Sequence, residues 1–170
     1  MKRAGIMVMG AGLASLLGLA APAPAAEFDL TRVSLLAAPD GEGTTRIAAE
    51  LLARDLTALG GRPGAIVEDA ANCAAMCVVI GTTASPIVQR LAAQGGVDLS
   101  PITGGWERYV RAGFRVAGRR YLLIVGSDAR GAAYGVTDLS RALGVSPWEW
   151  WADVTPRRRN RIAIDDAAFV

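Results

Sequence analysis

Cys77-Val-Val-Ile-Gly81 is the stretch that sets the fold. A strand wetted on one side alternates apolar with polar residues. This one is apolar at successive positions, as expected of a central strand covered by helices on both faces. Thr82-Thr83 then begins a turn, and Ser85 can cap a helix that starts at Pro86 and continues through Leu91 to Gly95-Gly96. Proline suits the first helical position because its missing N–H would be unpaired there anyway.

Working toward the N-terminus, Ala65-Ile-Val-Glu68 reads as a short strand. Before it, Thr44 or Thr45 can cap a helix to about Leu59, with Ile47, Leu51, Leu52, Leu56 and Leu59 on one stripe and Gly60-Gly61 as its stop. Arg32-Val-Ser-Leu-Leu-Ala37 is the first strand, ended by Pro39-Asp-Gly-Glu-Gly43. Toward the C-terminus, Tyr109–Val116 alternates with period two, and Arg120–Val125 follows after Ala117-Gly-Arg119, which makes a hairpin. A last helix spans about Arg130 to Leu143 and stops at Gly144, and Arg161-Ile-Ala-Ile164 is a short tail strand. The order is β-α-β-β-α-β-β-α. It predicts an α/β (α+β) fold, a mixed sheet flanked by about three helices in a single domain over residues 26–170.

The 170 residues are 52% hydrophobic and 20% charged, enough for one domain and one core. With no histidine, histidine-based triads, metal ligands and pH switches are excluded. Lys2 and Arg3, the apolar run Ala4–Ala20 and an A-x-A exit at Ala23-Pro-Ala25 read as a secretory signal peptide over residues 1–25. Cleavage near Ala25 implies a periplasmic or extracellular product without a stable membrane anchor; an uncleaved anchor is the alternative reading. Removing the leader leaves 16 basic against 16 acidic residues, every cation an arginine, so no nucleic-acid partner is expected.

Cys73 and Cys77 are either disulfide-bonded, as export permits, or two small buried hydrophobes; two thiols alone do not make a metal site. Gly81-Thr-Thr-Ala-Ser85 either holds an anion on its amides or is an ordinary strand-to-helix turn, and it lacks the spacing of a dinucleotide or phosphate loop. Ser127 and Ser146 lack a histidine partner. No catalytic residue, metal or cofactor is expected.

The C-terminal third is denser in signals. In Gly126-Ser-Asp-Ala-Arg-Gly131, Asp128 can cap the last helix and Arg130 can pair with it or with a nearby carboxylate. Trp148, Trp150 and Trp151 fall within four residues, either as a sugar-stacking platform or as a surface that packs on a neighbouring domain. The whole segment, Gly126-Ser-Asp-Ala-Arg-Gly-Ala-Ala-Tyr-Gly-Val-Thr-Asp-Leu-Ser-Arg-Ala-Leu-Gly-Val-Ser-Pro-Trp-Glu-Trp-Trp-Ala-Asp-Val154, resembles the end of the N-terminal domain of glycoside hydrolase family 115, the xylan α-1,2-glucuronidases. Ala129 stands where that family typically has lysine.

The resemblance implies a non-catalytic N-terminal domain of an exported, inverting glycosidase that releases glucuronic or 4-O-methylglucuronic acid side chains from xylan. Its partner would be a downstream TIM barrel, which needs roughly 250 residues and carries the catalytic carboxylates. On that reading Trp148, Trp150 and Trp151 face the barrel. Tyr134, on a helix similar to one in the β-hexosaminidases that sends an arginine to the sugar site, lines or braces the glucuronate pocket with Asp128 and Arg130; the other reading is that Tyr134 buries in the sheet while Asp128 and Arg130 only fix the turn. The alternative is a stand-alone carbohydrate-binding or interaction module.

Overall fold

A computed structural model describes residues 27–165. Residues 1–26, which include the expected signal peptide over 1–25, and residues 166–170 lie outside that range. The elements are β1 (Glu27–Asp29), β2 (Ser34–Ala37), α1 (Thr44–Ala58), β3 (Ile66–Val67), a 3-10 turn over Ala70–Asn72, β4 (Met76–Thr82), α2 (Pro86–Gly95), β5 (Tyr109–Val116), β6 (Arg119–Gly126), α3 (Ala129–Ala142), the short α4 (Glu149–Ala152) and β7 (Ala163–Asp165).

The main sheet has the order β3-β2-β4-β6-β5. Its first four strands are mutually parallel, and β5 closes one edge antiparallel to β6. All seven residues of β4 are buried, as a strand apolar on both faces requires. Its side chains alternate between two cores. Met76, Val78 and Ile80 join α1 and α3 together with Leu122 and Ile124 of β6. Cys77 and Val79 join Val88 and Leu91 of α2, with Leu123 and Val125 from the same strand. Gly81 lets α2 approach, since a Cβ there would stand 2.5 Å from Val88 Cγ2 and 2.8 Å from the Ala38 Cβ.

Three local expectations are corrected. Neither Thr44 nor Thr45 caps α1: its N-cap is Gly43, in a left-handed conformation. Asp40 takes the amides of Glu42, Gly43 and Thr45 at 3.1, 2.6 and 2.8 Å, and the Thr45 hydroxyl donates to the Ala38 carbonyl at 2.7 Å. Ser85 holds the N-cap position of α2 but makes no side-chain cap bond. Ile47 is 66% exposed, because α1 packs through the smaller Ala48 and Ala49 together with Leu52 and Leu56.

The tail strand pairs with a segment that carries no periodic signal. β1 and β7 form a separate antiparallel ribbon with Glu27 opposite Asp165 and Asp29 opposite Ala163. No helix of the described residues is long and apolar enough to cross a membrane.

Cys73 and Cys77 are joined by a disulfide with Cα atoms 5.7 Å apart, on the α2 side of the sheet. A loop this short constrains the unfolded chain only modestly, so reduction should cost about 2 kcal/mol of stability. Urea unfolding with and without reductant measures it. Alkylation of the native, unreduced protein should leave both sulfurs unmodified.

Candidate functional site

In open α/β sheets the crevice at the carboxyl ends of the parallel strands is the usual ligand edge. Here that edge is built around the turn from β6 into α3. Gly126 closes the strand where a Cβ would overlap the Ala132 amide and the Asp128 carbonyl, so no larger residue fits without a backbone shift. Asp128 caps α3 by accepting the Gly131 amide at 2.7 Å, and its second oxygen accepts the amide of Glu107 at 2.8 Å. The Ser127 amide donates to the Arg108 carbonyl at 2.9 Å, and the Ser127 hydroxyl accepts the Arg108 amide at 3.1 Å. Gly131 lies directly on that same carbonyl. The chain entering β5 is thus clamped onto the start of α3.

Burial alone would raise the Asp128 carboxyl. The amides of Glu107, Gly131 and Arg130 and the Arg130 charge outweigh it and hold the group below its ordinary value. Arg130 reaches across the clamp, pairing with Glu107 at 2.9 Å and donating to the Tyr134 hydroxyl at 3.2 Å. Its guanidinium is largely in water, so this pair adds little to stability. The structure therefore brings Asp128, Arg130 and Tyr134 into one bonded cluster. Asp128 serves the clamp, while Arg130 and Tyr134 face outward.

Tyr134 also lines a cleft of about 400 Å³ between α1 and α3, with Tyr109, Asp138, Arg141 and Ser140 on one side and Arg54 and Asp55 on the other. Sequence reasoning missed most of this cleft, because its residues come from three separated elements. Asp138 accepts from Arg111 at 3.2 Å and from Arg141 at 2.9 Å. Burial pushes the Tyr109 phenol up, and the charge and hydrogen bond of Asp138 add to that. Asp55, 3% exposed, is held by Arg54 at 2.7 Å, and Glu149 stands 3.8 Å from the same guanidinium. The Ser140 hydroxyl is buried without a hydrogen-bond partner among the described residues. Each carboxylate of the cleft is engaged by an arginine, an arrangement suited to bracing a surface.

Trp106, 77% exposed, precedes the clamp at this edge, while Trp148 and Trp151, 64% and 85% exposed, follow the far end of α3, where Glu149 stands near Arg54. The Trp150 side chain lies outside what the structure describes. The turn Gly81–Ser85 does not offer an anion cradle: the Thr83 amide is taken by the Gly126 carbonyl at 2.9 Å and the Ser85 amide by Thr82 at 3.1 Å. Among the described residues no group of three or more Cys, Asp or Glu side chains could hold a metal ion.

Two variants test the clamp by chemical denaturation. Asp128→Ala should cost about 1–2 kcal/mol, the usual range for an N-cap. Because the folded carboxyl is depressed, its contribution is complete above about pH 4 and is lost as pH falls through its lower folded value, so the deficit should shrink in acid. Gly131→Ala should cost about 1–3 kcal/mol at any pH, because its methyl meets backbone.

No family model matches the sequence, and no curated protein matches it. Among solved structures, a family GH115 4-O-methyl-α-glucuronidase with specificity for decorated arabinogalactans matches with a TM-score of 0.64 and 28% identity, over 84% of this chain and 18% of that one. A GH138 enzyme targeting pectin rhamnogalacturonan II aligns over 79% of this chain and 11% of that one, at 13% identity and a TM-score of 0.40, too low to argue from. This chain thus spans less than a fifth of the length of the GH115 enzyme it matches. The resemblance carried by residues 126–154 therefore holds in three dimensions, and this chain is similar to one α/β domain of a family GH115 glucuronidase.

Proposed function

We propose that this chain is the leading, non-catalytic domain of an exported glycoside hydrolase that removes glucuronic or 4-O-methylglucuronic acid side chains from xylan with inversion. The catalytic TIM barrel belongs to a further part of the protein. The observation that carries this reading is the alignment of 84% of the chain with only 18% of a GH115 glucuronidase. A module of that relative size is one component of a larger machine. The relative's printed specificity is for decorated arabinogalactans, so the uronic acid is the shared chemistry and the backbone polymer is the variable.

The barrel docks on the face that bears Tyr134, Trp148 and Trp151. Exposed tryptophans in water are unfavourable, and burying two of them against an apolar partner stabilises the assembly by several kcal/mol in order of magnitude. At the rim of that contact Arg130 is held by the exposed Glu107–Arg130 pair, which a substrate uronate can replace because it offers the same carboxylate geometry. Tyr134, bonded to Arg130, then braces the guanidinium at the sugar pocket. Export by the leader, with cleavage near Ala25, puts the enzyme in the periplasm or outside the cell, where such polymers occur.

The test mixes the chain with a GH115 barrel that lacks its own leading domain. Alone, the chain should release no uronic acid from glucuronoxylan or arabinogalactan. With the barrel, tryptophan emission should shift to the blue and hydrolysis of one polymer should appear. Tyr134→Phe in the mixture should lower kcat/KM about tenfold, the worth of one hydrogen bond to a charged group. Activity of the chain alone, or sugar binding through Trp148 and Trp151 with no affinity for the barrel, would show a self-sufficient module instead.

A further inference from the structure

The opposite edge of the sheet, at the amino ends of the parallel strands, has a different chemistry. Arg32 precedes β2, Arg62 precedes β3, Arg120 opens β6, and Arg158 and Arg159 lie in the segment that leads to β7. All five are exposed, and none has a carboxylate of the described residues within ion-pair distance. They line two adjoining hollows of about 320 and about 580 Å³ that share Thr31, Arg32 and Asn160. The first hollow contains no acidic residue. The second contains only Asp29, which is occupied by Arg161 at 3.4 Å and the Thr31 amide at 2.9 Å.

This surface is held in place by its backbone. The Arg159 amide donates to the Leu59 carbonyl at 2.7 Å, the Arg62 amide to Thr31 at 2.7 Å and the Arg120 amide to Ala75 at 2.9 Å. The Ile162 amide donates to the Thr31 hydroxyl at 3.0 Å, and that hydroxyl in turn hydrogen-bonds the Asp29 carboxylate. Gly60 and Gly61 admit the crossing segment, since a Cβ on Gly60 would stand 2.9 Å from the Arg159 carbonyl and one on Gly61 3.0 Å from Ile162 Cδ1. Like charges are thus kept together although they repel, with no ion-pair partner among the described residues.

We propose that this edge is a binding surface for a carboxylate-bearing polysaccharide, separate from the Tyr134 face. Guanidinium groups recognise carboxylates through paired N–H donors, and the exposed Asn160 supplies a donor for sugar hydroxyls. From β3 to β6 the row crosses three strand spacings, about 14 Å, too long for one small anion and suited to an extended polymer. No aromatic side chain lines either hollow, so the stacking platform of a single-stranded nucleic-acid site is missing. The choice of a uronate polymer rests on the glucuronidase reading given above.

The test is affinity electrophoresis of the full chain in gels containing 4-O-methylglucuronoxylan, the same polymer with its carboxyl groups reduced to alcohols, or duplex DNA. Retardation by the native glucuronoxylan should vanish in the reduced polymer and in about 0.5 M salt, where screening is nearly complete. The triple variant Arg62→Gln, Arg158→Gln, Arg159→Gln should lose about tenfold in affinity, and the matching Arg→Lys variant should keep only part of it. Arg90→Gln, an exposed arginine on α2, should change nothing. Equal binding to the reduced polymer, an unaffected triple variant with intact near-UV circular dichroism, or tighter binding to DNA would each overturn the proposal. A chain that ignores glucuronoxylan yet restores activity to a barrel sinks this proposal and leaves the domain reading intact; binding without assembly does the reverse.

Discussion

The parallel pairing of β4 with β6 runs for seven residue pairs, from Met76 opposite Arg120 to Thr82 opposite Gly126, and the rest of the molecule is arranged around it. Both strands are apolar on both faces, so neither can border water, and helices must cover the sheet above and below. Two parallel strands also cannot be joined by a tight turn. The chain therefore travels from β4 through α2 and β5 before it returns as β6, and that path places α2 on one face. On the other face α1 and α3 pack against each other and against β4 and β6, which together supply Val78, Ile80, Leu122 and Ile124.

Because the register aligns both ends of the pair, it also creates two chemically distinct edges. At the carboxyl edge the Thr83 amide bonds to the Gly126 carbonyl, and the β6–α3 turn begins at the same point. Arg130 there is matched with Glu107, and along the α1–α3 face Arg111 and Arg141 pair with Asp138 and Arg54 with Asp55. At the amino edge the same alignment gathers arginines that have no such partners among the described residues. A net charge near zero therefore conceals a strongly polarised surface, and whole-chain charge says nothing about either edge separately.

Much of the architecture was legible because its signals are local. An apolar run at consecutive positions marks β4, alternation marks the β5–β6 hairpin, and Gly126 with Asp128 marks a strand-to-helix turn; each reports its own neighbourhood. What was not legible depends on pairing between distant segments. The three-residue β1 has no period to read, and it exists only because the tail returns to it as β7. Asp40 caps α1 from four residues before its first helical residue, through a turn shaped by Gly41 and Gly43, so nearby threonines looked like better candidates. The cleft behind Tyr134 draws on α1, β5 and α3, and the amino-edge arginines on four separate segments. In the sequence only the run Arg157-Arg158-Arg159 stands out; Arg32, Arg62 and Arg120 join it through strand order alone.

The manner in which those arginines are fixed bears on what they can do. A surface ion pair usually gives little, because ordering two long side chains offsets the attraction. At the amino edge the backbone beneath the side chains is already ordered by strand ends and cross-segment amide bonds, so much of that cost is met during folding. Each contact with a polymer remains weak and open to screening. Several contacts along one chain nevertheless act together at high effective concentration, which yields useful retention with rapid local exchange. Such a surface can hold a long substrate without fixing its register, leaving the choice of individual side chain to a pocket elsewhere. The separation of a pre-ordered, arginine-rich edge from the charge-matched face that bears Tyr134 is the physical form that this division of labour would take.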